Sequence, residues 1–149
     1  MSKIVHPYAH RLPLIRGWKS RWFRTGKDYR DTLRADVIIR EYLEKKLRSA
    51  YISSVVFERN SKTLKIIIAS ARPGMIIGRS GEGIESLRKN ILKLAKQSNI
   101  TINEQLVIDV VEIRNPDADA KIVATMIAEQ LEKRIVFRRV MKMTIEKIM

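Results

Sequence analysis

The chain alternates between stretches of helical and of two-residue apolar periodicity. From Asp31 to about Arg48, Leu33, Val37, Leu43 and Leu47 recur at turn-like spacings, and the early acids Asp31 and Asp36 suit a helix N-terminus. The charged residues of this helix are expected to face solvent. Ile52 to Arg59 and Thr63 to Ser70 are rich in β-branched residues and flank Asn60-Ser61-Lys62, which predicts a hairpin. In its second arm Leu64, Ile66 and Ile68 alternate with Lys65 and Ile67. Pro73-Gly74 breaks that strand, and Met75-Ile76-Ile77 predicts one or two helical turns. From Glu82 to about Lys96, Ile84, Leu87, Ile91, Leu94 and Ala95 repeat at i, i+3 and i+4, while Arg88, Lys89, Lys93 and Lys96 fall elsewhere. This is an amphipathic helix with a basic face. Leu106, Ile108 and Val110 alternate with Val107, Asp109 and Val111 in a third strand over residues 105 to 113. Asn115-Pro116-Asp117 ends it and is expected to cap a helix whose apolar face is Ile122, Val123, Met126, Ile127 and Leu131. A last helix begins around Arg134 to Val136 and runs to Met149 without a C-cap glycine.

The predicted order is helix, strand, strand, short helix, helix, strand, then two helices, with no internal repeat. Such an order makes an α+β fold, a small three-stranded sheet covered by helices. Residues 1 to 30 sustain no period and contain Pro7, Pro13, Gly17 and Gly26, so they read as an irregular basic arm.

At 149 residues and 45% hydrophobic content, the chain has the length and material for one domain with a buried core, or one domain and a small appendage. Its net charge of +14 is unevenly spread. Residues 1 to 27 hold seven bases and no acid; residues 1 to 50 carry +8, residues 51 to 100 carry +6, and residues 101 to 149 carry none. A positive field concentrated at the front attracts polyanions, nucleic acid before membrane. There are no cysteines, which excludes disulfides, thiolate chemistry and cysteine-based zinc sites. No apolar run approaches the ~20 residues of a transmembrane helix, and the N-terminus lacks a secretory apolar stretch. A soluble intracellular protein is the expectation, with no membrane and no small-molecule substrate.

The most informative stretch is Ile76-Ile77-Gly78-Arg79-Ser80-Gly81-Glu82-Gly83-Ile84. Two glycines three apart let the backbone turn sharply and approach another backbone closely. The turn opens onto a helix N-terminus, whose free amides favour phosphate, and Arg79 brings a guanidinium to its tip. Any tight turn can contain G-x-x-G; its place between a hairpin and a helix–strand pair matches the type II KH order, in which this loop clamps an RNA backbone. Trp18, Trp22 and Phe23 among Lys19, Arg21 and Arg24 either stack on bases while the cations meet phosphate, or fold back onto the core. Arg138, Arg139 and Lys142 lie within one ~100° arc of the last helix, with Val136, Phe137, Val140 and Met141 on the other side. From spacing alone that arc is equally a binding face or a solvated one.

His6 and His10 are four apart, but Pro7 stands between them and no nearby acid completes a metal site. There is no G-x-x-x-x-G-K-[ST] phosphate loop, and Gly81-Glu82-Gly83 lacks the third glycine of a dinucleotide turn. No catalytic arrangement, metal or cofactor is expected.

Five spaced motifs resemble one family. Val5-His6-Pro7, Arg11-Leu12, Trp18-x-Ser20-x-Trp22-Phe23, Ala71-Arg72-Pro73-Gly74-Met75-Ile76-Ile77-Gly78-x-x-Gly81-Glu82, and Leu131-Glu132-Lys133-Arg134-Ile135-Val136-Phe137-Arg138-Arg139-x-Met141-Lys142 are similar to the bacterial or organellar ribosomal protein S three family. The resemblance implies a basic arm over residues 1 to 16, a type II KH domain over 17 to 114, and helices over 115 to 149 that begin a second domain. It implies a non-enzymatic constituent of the small ribosomal subunit, in a cytoplasmic or organellar ribosome. Expected contacts with ribosomal RNA are Lys3, His6, Arg11, Arg16, Trp18, Lys19, Arg21, Trp22, Arg72, Gly78, Arg79, Ser80, Gly81, Arg88 and Lys89. Arg138, Arg139 and Lys142 are expected to face incoming messenger RNA, and the tenth and fourteenth small-subunit proteins are the expected neighbours. A free-standing KH regulator or assembly factor is the alternative. The chain departs from the family at Ala9 and Pro13, where glycines are usual, and at Arg79-Ser80, where two bases are common. The family also continues into a second α/β domain, and this chain ends within that domain's first helix, so a longer parent chain is expected.

Overall fold

A computed structural model of the chain describes residues 4–98, 100, 102 and 104–149, so the expected contact Lys3 lies outside the described residues. The elements run α1 (Pro7–His10), β1 (Ser20–Arg21), α2 (Gly26–Lys46), β2 (Ile52–Arg59), β3 (Thr63–Ser70), α3 (Pro73–Ile77), α4 (Glu82–Gln97), β4 (Gln105–Glu112), α5 (Ala120–Glu132) and α6 (Phe137–Ile148). The α+β class and the type II KH order hold. The sheet, however, has four strands in the order β1-β2-β3-β4. The additional member comes from the arm: Ser20 and Arg21 pair in parallel with Phe57 and Glu58. Two residues produce no periodicity, which is why the pattern of the chain cannot announce this strand.

The hairpin follows the alternation closely. β2 and β3 are antiparallel, with Phe57 opposite Ile66 and Arg59 opposite Leu64, and β4 lies parallel to β3 with Leu64 opposite Leu106. Even-numbered Leu64, Ile66 and Ile68 enter the core with Val55 and Phe57 of β2. From the same side, α2 contributes Ile39, Leu43 and Leu47, α3 contributes Ile76, and α4 contributes Leu87 and Ile91. Burying each large side chain of this set contributes roughly 1.5–3 kcal/mol before entropy is counted. The sheet's other face stays partly open, with Val107 and Val111 exposed and Lys65 paired to Asp109 at 3.1 Å.

The first long helix differs from its predicted form. It starts at Gly26 rather than Asp31, and its buried stripe is Thr32, Ala35, Asp36, Ile39 and Leu43. Leu33 and Val37 sit one residue off this stripe, rotated ~100° toward solvent, and both are exposed. Asp36, expected on the surface, is 0% exposed. Its Oδ2 accepts from Trp22 Nε1 (2.8 Å) and Ser20 Oγ (3.2 Å), and its Oδ1 accepts from Arg59 Nη2 (2.6 Å) and Nε (3.2 Å). Arg59 also donates to Glu104 Oε2 (2.8 Å), whose Oε1 accepts from Arg24 (2.5 Å). A buried charge persists only when paired and hydrogen-bonded, and this alternating row of two carboxylates and two guanidinium groups meets that condition. It fastens the arm, α2, the end of β2 and the approach to β4 to one another.

The second half holds one further correction. Pro116–Ala118 forms a 3-10 turn, and the cap of α5 is Asp119 rather than Asn115, accepting from the N–H groups of Lys121 (2.9 Å) and Ile122 (3.2 Å). Burial disfavours its charge, but the Ser53 hydroxyl and the two capping amides outweigh burial and hold its carboxyl below the ordinary value. Ile122 and Val123 of α5 are buried, and Val140 and Thr144 of α6 complete the packing of the helix pair. Among the described residues no helix is long and apolar enough to cross a membrane.

Replacing Asp36 by Ala leaves Arg59 with a buried, half-compensated charge. The expected loss is about 3–5 kcal/mol, read from urea denaturation, whereas Asp31→Ala on the exposed side of α2 should change stability by no more than about 0.5 kcal/mol.

Candidate nucleic-acid interface

The G-x-x-G turn is built by two short-range constraints. Pro73 starts α3 at a position where a missing N–H costs nothing, and Ile76 anchors that helix in the core at 1% exposure. The chain then leaves α3 at Gly78 (φ +71°), passes Ser80 (φ +51°) and Gly81 (φ +83°), and enters α4. Three left-handed residues in four explain the glycines; Ser80 is the one position where an ordinary side chain occupies that region, at a cost of roughly 1–3 kcal/mol held by its surroundings.

The closest approach, however, is made by a third glycine. A Cβ at Gly83 would lie 2.4 Å from the Ile76 carbonyl oxygen and 2.8 Å from that of Ile77, and one at Gly78 would lie 2.9 Å from the Gly83 nitrogen. Gly78 and Gly83 thus close the loop on itself, backbone against backbone. Around Gly81 a Cβ would meet nothing within 4 Å, so this side faces outward. The sequence carried a signal for Gly83: a glycine in the first turn of a helix is unfavourable unless packing requires it.

α4 begins without a side-chain cap, which leaves its first amides at the loop. Glu82 and Glu85 sit in the same turn and offset part of the field there. Arg79, Arg88, Lys89, Lys93 and Lys96 are exposed, and among the described residues no carboxylate lies within ion-pair distance of them. Gly78, Arg79, Ser80 and Gly81 make the loop that opens α4, and Arg88 and Lys89 stand exposed about two turns further along that helix.

The arm residues are more engaged with one another than an irregular tail would be. His6 Nδ1 accepts from the Tyr8 N–H (3.1 Å) at the start of α1, and Arg11 donates to the Pro7 carbonyl (2.9 Å). Tyr8, not singled out by the sequence, organises the arm: its hydroxyl donates to the Gly17 carbonyl (3.0 Å), and Arg16 and Lys19 lie over its ring at 5.5 and 5.4 Å. Arg21 pairs with Glu58 at 2.9 Å. Trp22 packs its ring near Tyr29, at 5.5 Å between centroids, and spends its N–H on Asp36, so its indole is committed to the fold. Trp18 remains half-exposed.

Arg72 lies at the neck of the loop, over the Tyr51 ring at 4.6 Å. Tyr51, in a left-handed conformation (φ +52°), donates its hydroxyl to Glu129 of α5, which also accepts from Lys133 at 2.8 Å. The hydrogen bond to Glu129 raises the phenol's pKa, burial adds to this, and Arg72 opposes it. Hydrogen bonds from Lys133 and Tyr51 lower the pKa of Glu129. This contact ties the neck of the loop to the C-terminal helices. On α6, Arg138, Arg139 and Lys142 are exposed, opposite the buried Val140 and Thr144. Lys142 makes only a loose approach to Glu146 (3.9 Å), and Arg138 leans over Phe137 at 5.8 Å. Val136, Phe137 and Met141, expected on the covered side, are exposed. Among the described residues no three metal-ligating side chains converge.

A model of the KH domain family matches residues 38–118. Over all 149 residues the chain is 46% identical to the small ribosomal subunit protein uS3 of Exiguobacterium sibiricum, 43% to that of Nitrosomonas europaea and 42% to that of Clostridium novyi. It covers 65%, 66% and 65% of those proteins, so it spans a little under two thirds of the length of these relatives.

The Gly83 contact predicts a specific asymmetry. Gly83→Ala should cost about 2–3 kcal/mol through overpacking against the α3 carbonyls, while Gly74→Ala, with open space around its Cβ, should leave the thermal midpoint unchanged or raise it slightly.

Proposed function

The chain belongs to the KH domain family, and from that premise we propose that it is the RNA-binding portion of a small-subunit ribosomal constituent. The observation that carries this reading is the loop at Gly78–Gly81. It turns its open side outward at the uncapped start of a helix whose exposed cations have no carboxylate partners among the described residues. Backbone amides, Arg79 and the α4 cations supply sequence-independent attraction to phosphate. The full-length similarity to small ribosomal subunit proteins supports ribosomal RNA as the ligand. Within this reading His6, Arg11, Arg16, Trp18, Lys19, Arg21 and Arg72 extend the contact along the arm and the loop's neck. Trp22 contributes by holding the arm in place rather than by stacking on a base. The relatives' names describe ribosomal proteins, not enzymes, and the reading needs no reaction.

The finer assignment is a place beside the messenger entry path. Arg138 and Arg139, without carboxylate partners among the described residues, and Lys142 form a cationic strip opposite the packed side of α6. That strip suits the sliding phosphates of an incoming messenger, with the tenth and fourteenth small-subunit proteins as neighbours.

Sedimentation tests the first assignment. The chain should remain on small subunits after a high-salt wash, and Gly81→Asp should release at lower salt while Gly81→Asn behaves as the parent. Asparagine accepts the left-handed backbone and matches aspartate in shape, so the difference isolates the charge. Equal retention of all three would remove the loop from the interface, and release of the parent at modest salt would count against the ribosomal reading.

Replacing Arg138, Arg139 and Lys142 together by Ala should slow translation through structured messengers more than through unstructured ones. It should also lower the salt slope of messenger binding by about three, one for each phosphate contact. A uniform defect would point to assembly instead.

A further inference from the structure

Between the arm, the edge of β2 and the first turn of α5 lies a groove of about 780 Å³, within the size range of small-ligand sites. Its β2 wall is an unpaired strand edge. β1 covers only Phe57 and Glu58, where the Phe57 N–H donates to the Lys19 carbonyl at 2.9 Å. Backbone groups two residues apart point to the same side of a strand. The N–H and carbonyl of Val55 therefore face the groove, where the arm has already diverged from the sheet.

The groove's charge is uncompensated. Arg40 lies over the Phe57 ring at 5.0 Å and reaches only neutral oxygens, Ser20 Oγ at 3.3 Å and the Lys19 carbonyl at 3.5 Å. Its Nε is the one buried side-chain nitrogen or oxygen without a hydrogen-bond partner among the described residues. Unsatisfied buried groups are rare and call for an explanation, and a part-buried guanidinium without a carboxylate is costly unless an anion arrives. Arg16 and Lys19 also lack carboxylate partners among the described residues and are held over Tyr8 on the same wall. The acids nearby are already spent: Glu44 pairs with Lys121 at 2.6 Å, and Asp119 caps α5 and accepts from Ser53. Trp18 adds a flat, 51% exposed ring to the lining.

We propose that this groove is a second RNA subsite, separate from the G-x-x-G loop, that takes one unpaired nucleotide. Its phosphate sits among Arg16, Lys19 and Arg40, its base stacks on Trp18, and the Val55 backbone offers one donor and one acceptor to the base edge. A base free to stack on an aromatic ring must come from a single strand or a splayed loop. The inference rests on the RNA-binding reading of the arm and adds the residues Arg40 and Val55 to it.

The test is fluorescence anisotropy of a labelled uridine hexamer with the whole chain. Trp18→Ala and Arg40→Gln should each weaken binding about tenfold, Trp18→Phe should stay within about threefold because it keeps a stacking face, and a blunt RNA duplex should compete poorly. Unchanged thermal midpoints for the two Trp18 variants would show that the arm stays folded. Hexamer affinity that survives both Trp18→Ala and Arg40→Gln but falls in Gly81→Asp would overturn the subsite and leave the loop reading standing. Affinity unchanged in all three would overturn both. Displacement of the hexamer by an acidic peptide at equal concentration would assign the groove to a protein chain and overturn the proposal.

Discussion

Asp36 is the residue on which the architecture converges. Its buried carboxylate accepts from Ser20, Trp22 and Arg59, and those donors bring two separate parts of the chain, the arm and the end of β2, to one side of α2. The arm places no large side chain in the central core, so it is held along β2 by its backbone pairing to Phe57 and Glu58, by the Arg21–Glu58 and Arg24–Glu104 ion pairs, and by the buried contacts to Asp36. The contact to Asp36 is the most deeply buried of these, at 0% exposure. Its geometry also sorts the chain's cations. Arg59 and Arg24 are neutralised inside the row and Arg21 is paired to Glu58. Arg16, Lys19, Arg40, Arg79 and the α4 bases have no carboxylate partner among the described residues.

The proposed interface is correspondingly spread over several elements. The loop supplies shape, since Gly78 and Gly83 touch backbone to backbone while Gly81 faces outward. α4 supplies field, and the arm supplies an aromatic surface. With only one base at the loop tip and two acids in the following turn, the loop by itself makes a weak phosphate clamp, so affinity has to be summed over many contacts. That division suits the proposed attachment to a large RNA, where each contact adds a modest increment and the salt dependence accumulates.

Periodicity made much of this fold legible. The hairpin, with its limits at Ile52–Arg59 and Thr63–Ser70, the α4 stripe and the third long strand were all visible because burial on one face repeats at 2 or 3.6 residues. The G-x-x-G turn was legible because glycine adopts its positive-φ backbone most readily. What stayed hidden depended on partners far along the chain. Asp36 finds Arg59 23 positions away, and Arg59 finds Glu104 45 positions away, so local pattern could only read these as surface charges. Leu33 and Val37 misled for the complementary reason, being apolar residues adjacent to a stripe in which a threonine, an alanine and a carboxylate hold the buried positions. The arm's strand was invisible because two residues carry no period. For Trp22 the local pattern left stacking and folding back both open, because the Asp36 that takes its N–H stands 14 positions away.

The row from Asp36 to Arg24 also has a direction in time. Its members leave the ribosome's exit in the order Arg24, Asp36, Arg59, Glu104, and a chain emerging N-terminus first can form the Asp36 contacts to Ser20 and Trp22 well before Glu104 exists. During that interval Arg59 has one carboxylate instead of two, and Arg24 has none, so the arm is held by half of its final fastening. The completed lock comes only when the residues preceding β4 arrive, as that strand docks in parallel beside β3. A nascent chain of this protein therefore holds its cationic N-terminus by part of the final fastening until Glu104 is made, and closing the sheet is the event that completes the row.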